Sequence, residues 1–399
     1  MTFYKNDSVG IKGENMEIYL DNSATTKPCS EAAEAVRLAM EIEYGNPSSM
    51  HLKGFNAEKL VKNAKAVIAA TLKCDPKELV FTSGGTESNN LALIGGARAR
   101  HRAGRHIITT AIEHPSVLET IAYLEEEGFS ITRLPVDSFG RVKTEQVYDA
   151  LTDETIMVSC MMVNNELGTR EPVEEIGRML KKERPAILFH VDAVQGYGKY
   201  MIRPKEAGID LLSASGHKIH GPKGIGLLYI SSGVIVRPIL FGGGQQKGLR
   251  SGTENVPGIA GMAAAAQYIY RDFDEDIKRM YRLRSQLIDG LSAIDGAVVN
   301  SITEDGGAPH IVNVSFEGLR SEVLLHALED RGIYVSSGSA CASNHPGLSH
   351  VLLAAGVPKQ RIEGTLRLSL SPETTEDDIE AAITAINEVV PFYRRFKRK

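Results

Sequence analysis

Residues Thr155–Asp192 read TIMVSCMMVNNELGTREPVEEIGRMLKKERPAILFHVD. The run Thr155–Val163 is almost continuously apolar, and Ala186–Asp192 (AILFHVD) repeats that character. Between them, Pro172–Lys182 sets apolar residues at helical spacing. A strand that is apolar at successive positions has no solvent side, so strands of this kind bracketed by helices predict a mostly parallel sheet covered on both faces. The alternation continues outward. Strand-like runs lie at Glu78–Thr82, His106–Ala111 and Ile131–Pro135 on one side and at Asp210–Ser215 and Gly224–Ile230 on the other. Helical patterns fill Ser88–Arg102 and Pro115–Glu127. The fold class expected is α/β.

Further along, a long helical pattern runs from about Gly258 to Ile294 and breaks near Asp272–Asp276. Beyond it lie segments at His310–Phe316, Arg320–Asp330, Ile333–Ser336, Thr365–Leu370 and Glu376–Val390, with few strands and intervening helices. They predict a smaller α+β unit. The expected organisation is a disordered polar extension over 1–15, a large α/β domain over 16–275 and a small C-terminal domain over 276–399. Met16 is an alternative start.

Composition narrows the function. The 399 residues carry 45 basic and 50 acidic side chains, a net charge of −5 that leaves no basic footprint for direct nucleic-acid binding. No apolar run approaches the ~20 residues that span a bilayer, which argues against a membrane protein. The opening MTFYKNDSVGIKGEN lacks the apolar stretch of a signal peptide. Four cysteines (Cys29, Cys74, Cys160, Cys341) form no CxxC pair and read as free thiols in a reducing compartment, so a cytoplasmic protein is expected. No metal-ligand pattern stands out. The basic end RRFKRK reads as a solvated tail, with partner docking the lesser alternative.

Three stretches carry chemistry. In SASGHKIHGPKG (Ser213–Gly224), Lys218 lies in a glycine-bearing loop between two strands, with Ser215 and His217 beside it as partners for an anion. A lysine is usually a solvated charge, but one that forms an imine needs such a partly desolvated pocket. In FHVDAVQ, Asp192 ends an apolar strand, where open α/β sheets bind ligands. A lone strand-end aspartate is more often a cap; the same carboxylate could also keep a pyridine nitrogen protonated, with Gln195 donating to a phenolic oxygen of that ring. VFTSGGTESNN (Val80–Asn90) joins a strand, a glycine turn and a helix start, an anion cup in which Gly85 and Thr86 offer N–H and hydroxyl donors. RSGTEN (Arg250–Asn255) is a second such loop, with Thr253. There is no Walker loop and no GxGxxG fingerprint, which counts against NTPase and dehydrogenase chemistry.

A lysine, a strand-end aspartate and a phosphate cup together suit pyridoxal 5'-phosphate. The chain resembles the class V aminotransferase family of fold-type I pyridoxal-phosphate enzymes, and within it the cysteine desulfurases of NifS/IscS type. The resemblance runs from YLDNSATT (Tyr19–Thr26) to RLSLS (Arg367–Ser371). GGTESNN, EHPSVL, NNELGT, HVDAVQ, SGHKIHGPKG, RSGTEN and SSGSACAS all occur in the family's order. It implies that Lys218 carries the cofactor, Asp192 pairs with its ring nitrogen and Gln195 with its ring hydroxyl. Gly85, Thr86, Ser215 and His217 would hold the phosphate, and Thr253 would reach it from the partner subunit of a homodimer. His114 would stack on the ring and shuttle protons, Asn165 would lie beside the cofactor, and Arg367 would clamp the substrate α-carboxylate, which its planar fork meets bidentately.

Cys341 decides the reaction. SSGSACASNHPG around it is rich in Ser, Gly and Ala with no apolar periodicity, which suits an exposed nucleophile, whereas Cys74 and Cys160 read as buried small hydrophobes. The resemblance implies conversion of L-cysteine to L-alanine with a persulfide left on Cys341. The sulfur would pass to an acceptor protein, an iron–sulfur scaffold or a tRNA-thiolation carrier. Alternatives on the same scaffold are a selenocysteine lyase or an aminotransferase; a sulfur-relay scaffold without turnover is a third. The Asn344–Gly347 stretch departs from the family's usual loop, and His345, four residues on from Cys341, is a candidate for lowering its thiol pKa.

Overall fold

A computed structural model of the chain describes residues 17–303, 306–337 and 348–396. The extension expected over 1–15, Cys341, His345 and the final Lys397–Lys399 lie outside the described residues.

The apolar runs assemble into a seven-stranded sheet. Its spatial order is Leu79–Thr82, Gly226–Ile230, Leu211–Ser215, Leu188–Asp192, Thr155–Met161, His106–Thr110 and Ser130–Leu134. Gly226–Ile230 runs antiparallel to both neighbours and the other six strands share one direction. Thr155–Met161 and Leu188–Asp192 are buried at every position, as their unbroken apolar character requires. The helix Val173–Glu183 between them turns Val173, Ile176, Gly177 and Leu180 inward. A Cβ at Gly177 would collide with the Ala207 carbonyl, so this helix approaches the chain more closely than any other side chain permits.

Two helices carry no clear periodicity in the sequence, Ser30–Glu41 and Leu52–Leu72, and both pack on the helix Val256–Arg271. Most of their buried positions are small, Ala32 and Ala39 in one and Gly54, Ala57, Ala64 and Ala69 in the other, and Ile68 and Leu72 add large side chains only near the end of the second helix.

The second sheet is antiparallel, in the order Ser336–Ser337, Thr365–Ser369, Ile311–Phe316 and Ala297–Val299. Helices Phe273–Ser292, Ser321–Glu329 and Glu376–Arg394 cover it through a core that includes Leu283, Leu287, Phe316 and Ile386. The long helical pattern breaks at Asp272, between Val256–Arg271 and Phe273–Ser292. We propose that the two units divide there. One early segment crosses over: Ile18–Tyr19 pairs in parallel with Ile333–Tyr334, and Ile18 and Leu20 are buried in the second core. That pairing brings Asp21–Thr26 across the carboxyl ends of the large sheet. No described helix is long and apolar enough to cross a membrane.

Candidate active site

The carboxyl ends of parallel strands leave their side chains on one rim, where an α/β sheet opens to ligands. Asp192 ends one strand and Ser215 its neighbour, and Lys218 follows in the short turn Gly216–Lys218. Together with Gly85, Thr86, His114, Asn165, Gln195, His217 and Arg367 they line one cavity of about 390 Å³. Ten positions singled out in the sequence thus converge, although up to 282 residues separate Gly85 from Arg367. Thr253 is exposed and lies away from this cavity within the chain.

The carboxylate of Asp192 is buried and held at both oxygens. Asn89 Nδ2 donates to Oδ2 at 2.7 Å and the Val194 amide to Oδ1 at 2.9 Å. Gln195 donates from Nε2 to the Ser23 carbonyl at 3.0 Å, and its Oε1 faces His310 Nε2 at 3.3 Å. Lys218 Nζ donates to the carbonyls of Ser23 and of Ala24, the latter at 2.8 Å. His217 Nδ1 meets Thr25 Oγ1 at 3.2 Å. Burial, aided by the charges of Lys218 and Lys223, pushes His217 down to about 4, so its ring is neutral at physiological pH. Gly85 opens the helix Gly85–Arg100, whose first-turn amides face outward as anion donors.

Arg367 is 4% exposed. It donates from Nη2 to Asp21 Oδ1 at 2.9 Å and from Nη1 to the Asn165 carbonyl at 2.9 Å. These bonds hold the guanidinium in place and leave Nε buried without a partner among the described residues. Burial raises the Asp21 carboxyl above its usual range while Arg367 opposes that shift. Sequence reasoning missed Asp21, Asn89, Ser116 and His310. Asp21 and Asn89 lie inside quoted motifs, and Asn89 stands four residues after Gly85, on the same helix face. Nothing in the sequence singles out His310.

Glu166, next to Asn165, is buried and accepts from Ser349 Oγ at 2.5 Å. Burial pushes its carboxyl up to about 7, with Ser349 and Arg367 opposing. Because the folded pKa lies above the unfolded one, the folded chain retains a proton between roughly pH 4.5 and 7 that the unfolded chain has lost. Stability therefore falls as pH rises through that window. Glu166→Gln, which still accepts from Ser349, should gain on the order of 3 kcal/mol over the parent at pH 8 and little at pH 4. Urea denaturation at both values checks this; equal gains would refute it.

A family model for aminotransferase class-V matches residues 18–382. The cysteine desulfurase IscS of Methanosarcina thermophila is 43% identical over 390 residues, 98% of this chain and 96% of the relative. A cysteine desulfurase of Nostoc sp. is 45% identical over 375 residues, 94% of this chain and 92% of the relative. Among solved structures, a NifS-like protein superposes with a TM-score of 0.89 at 40% identity, covering 94% of this chain and all of that one. SspA in complex with cysteine superposes with a TM-score of 0.77 at 34% identity, covering 90% and 100%.

Proposed function

Because the chain belongs to the class-V aminotransferase family, we propose that it is a cysteine desulfurase dependent on pyridoxal phosphate, taking sulfur from L-cysteine and leaving alanine. It is an enzyme of the NifS/IscS type, and the relatives' desulfurase names do not favour a selenocysteine lyase, an aminotransferase or an inert relay. The observation that carries the reading is the single cavity that gathers Lys218, Asp192, His114 and Arg367.

The residues present fit the cofactor. Ser23 Oγ and Arg367 Nε are buried without a partner among the described residues, and both residues line the cavity. Buried polar atoms are rarely left unpaired, so this cavity is built for a polar occupant. Pyridoxal phosphate supplies an aldehyde that bonds to an amine and a ring that accepts an electron pair when its nitrogen is protonated. Asp192 would hold that proton, and Gln195 would donate to the ring hydroxyl. Gly85, Thr86, Ser215 and His217 would hold the phosphate, joined by Thr253 from the partner subunit of a homodimer. Lys218 provides the amine and later removes the α-proton of the substrate. Cys341 takes the sulfur as a persulfide and hands it to an acceptor protein serving iron–sulfur cluster assembly or tRNA and cofactor thiolation, in the cytoplasm.

Arg367 would bind the substrate carboxylate while Asp21 and Asn165 keep the fork in register. Arg367→Lys retains the charge and loses the planar geometry, so KM for L-cysteine should rise about 10- to 100-fold, the loss of one or two charged hydrogen bonds. Steady-state kinetics test it; an unchanged KM would remove Arg367 from the binding role. The function itself is tested by adding L-cysteine to the purified chain. Alanine should appear, the absorption spectrum should shift, and the Cys341 peptide should gain one sulfur. A chain that takes up no pyridoxal phosphate and releases no alanine would end the reading.

A further inference from the structure

We propose that Asn89 and Ser116 are positioning residues that lock His114 as its Nε2–H tautomer and tie its orientation to the carboxylate of Asp192. The proposal deepens the reading of the site given above and rests on it for its catalytic meaning, but its geometry stands independently.

A chain of hydrogen bonds joins the four residues, and its direction is fixed at both ends. At one end is a carboxylate, which only accepts, so the Asn89 amide must turn its nitrogen toward Asp192 Oδ2, 2.7 Å away. The second hydrogen of that nitrogen goes to Ser116 Oγ at 2.9 Å. Its Oδ1 is thereby left buried and without a partner among the described residues, a sacrifice that the carboxylate imposes. Ser116 Oγ accepts from Asn89 and spends its own hydrogen on His114 Nδ1 at 2.8 Å. At the other end, the Ser116 backbone amide also points at Nδ1, 3.1 Å away. An amide N–H can only donate, so Nδ1 must present a lone pair however the hydroxyl rotates. The neutral ring therefore carries its hydrogen on Nε2. His114 is also the cap residue of the helix Pro115–Glu126, and the same amide bond closes that cap.

The surroundings act in the same sense. Three elements bring charge toward the ring: Lys218 from the Gly216–Lys218 turn, His350 from the helix His350–Ala354, and Asp192 from its strand. Burial is the largest influence and holds His114 below the ordinary histidine range; Lys218 and His350 add to it and Asp192 opposes it. His114 thus enters the reaction as a neutral ring whose second nitrogen bears a hydrogen. It is a hydrogen-bond donor before it can serve as a base.

The test is the imidazole nitrogen spectrum of the full chain labelled with 15N-histidine, with His114 assigned by its loss in His114→Gln. Nδ1 should show as the unprotonated nitrogen, with a titration midpoint below the ordinary value. Ser116→Ala removes one donor to the neutral ring and should raise that midpoint by about 0.5–1 pH unit, the size of one hydrogen bond. Ser116→Thr should restore it. A proton on Nδ1 in the parent, or an unmoved midpoint in Ser116→Ala, overturns the proposal. Alanine release measured in parallel separates the two readings. Turnover with the wrong tautomer sinks this inference alone, while the right tautomer without turnover sinks the desulfurase assignment alone.

Discussion

Lys218→Ala should lower alanine formation from L-cysteine by about 10⁴-fold or more while leaving the fold intact. The lysine sits at the rim because the strand Leu211–Ser215 ends in a short turn, not because it packs there, so its removal opens no core cavity. Its ammonium is held by the carbonyls of Ser23 and Ala24 on the early segment that crosses the site. On the proposed function two roles would disappear with it: the covalent hold on the cofactor and the removal of the substrate α-proton. Deleting a group that acts in more than one step costs as much as dismantling the whole constellation, on the order of 10⁴- to 10⁶-fold. Lys218→Arg keeps a positive charge but forms no imine under these conditions and should be equally inactive. Cofactor should still bind, without the covalent link, because the anion cup and Asp192 are untouched. Rapid-quench measurement of alanine, with denaturation and cofactor binding as controls, gives the result. A residual rate within tenfold of the parent would remove Lys218 from the chemistry.

Most of this site is legible in the sequence because its residues sit in polar motifs that interrupt apolar runs. HVDAVQ runs through the end of one buried strand at Asp192 and SGHKIHGPKG begins at the end of another at Ser215, and each strand end fixes where the polar side chain must emerge. What the sequence conceals is pairing across distance. Asp21 reads as one polar residue after a short strand, and its role appears only when Ile18–Tyr19 pairs with Ile333–Tyr334 and sets it against Arg367. His310 precedes an ordinary antiparallel strand, and only the fold places its ring against Gln195. The two unheralded helices were hidden for another reason. Hydrophobic periodicity detects large side chains, and these faces are built mostly of alanine and glycine, with Ile68 and Leu72 only near the end of the second helix. The antiparallel direction of Gly226–Ile230 left no mark either, since a strand buried in mid-sheet is apolar whichever way it runs.

The second large effect is expected at Cys341. Cys341→Ala should abolish protein-bound persulfide and reduce multiple-turnover alanine release by about 10³-fold or more, while L-cysteine still binds and still perturbs the cofactor spectrum. Binding survives because Arg367, Asp21 and Asn165 reside on other segments. Sulfur transfer does not, because no other described thiol can take over. Burial raises the Cys29 thiol, pushes Cys74 up to about 12 and lifts Cys160 well above its ordinary value. At pH 8 a thiol of pKa about 12 is ionised to roughly one part in 10⁴, and the thiolate is the nucleophile. Cys29 and Cys160 are besides buried away from solvent, so neither could pass a sulfur onward. The parent should therefore carry its persulfide on Cys341 alone, and mass analysis of all four cysteine peptides after L-cysteine treatment reads this directly. Persulfide surviving in Cys341→Ala would mean that one of the other three thiols becomes reactive during turnover, and the assignment of Cys341 as the sulfur carrier would fall.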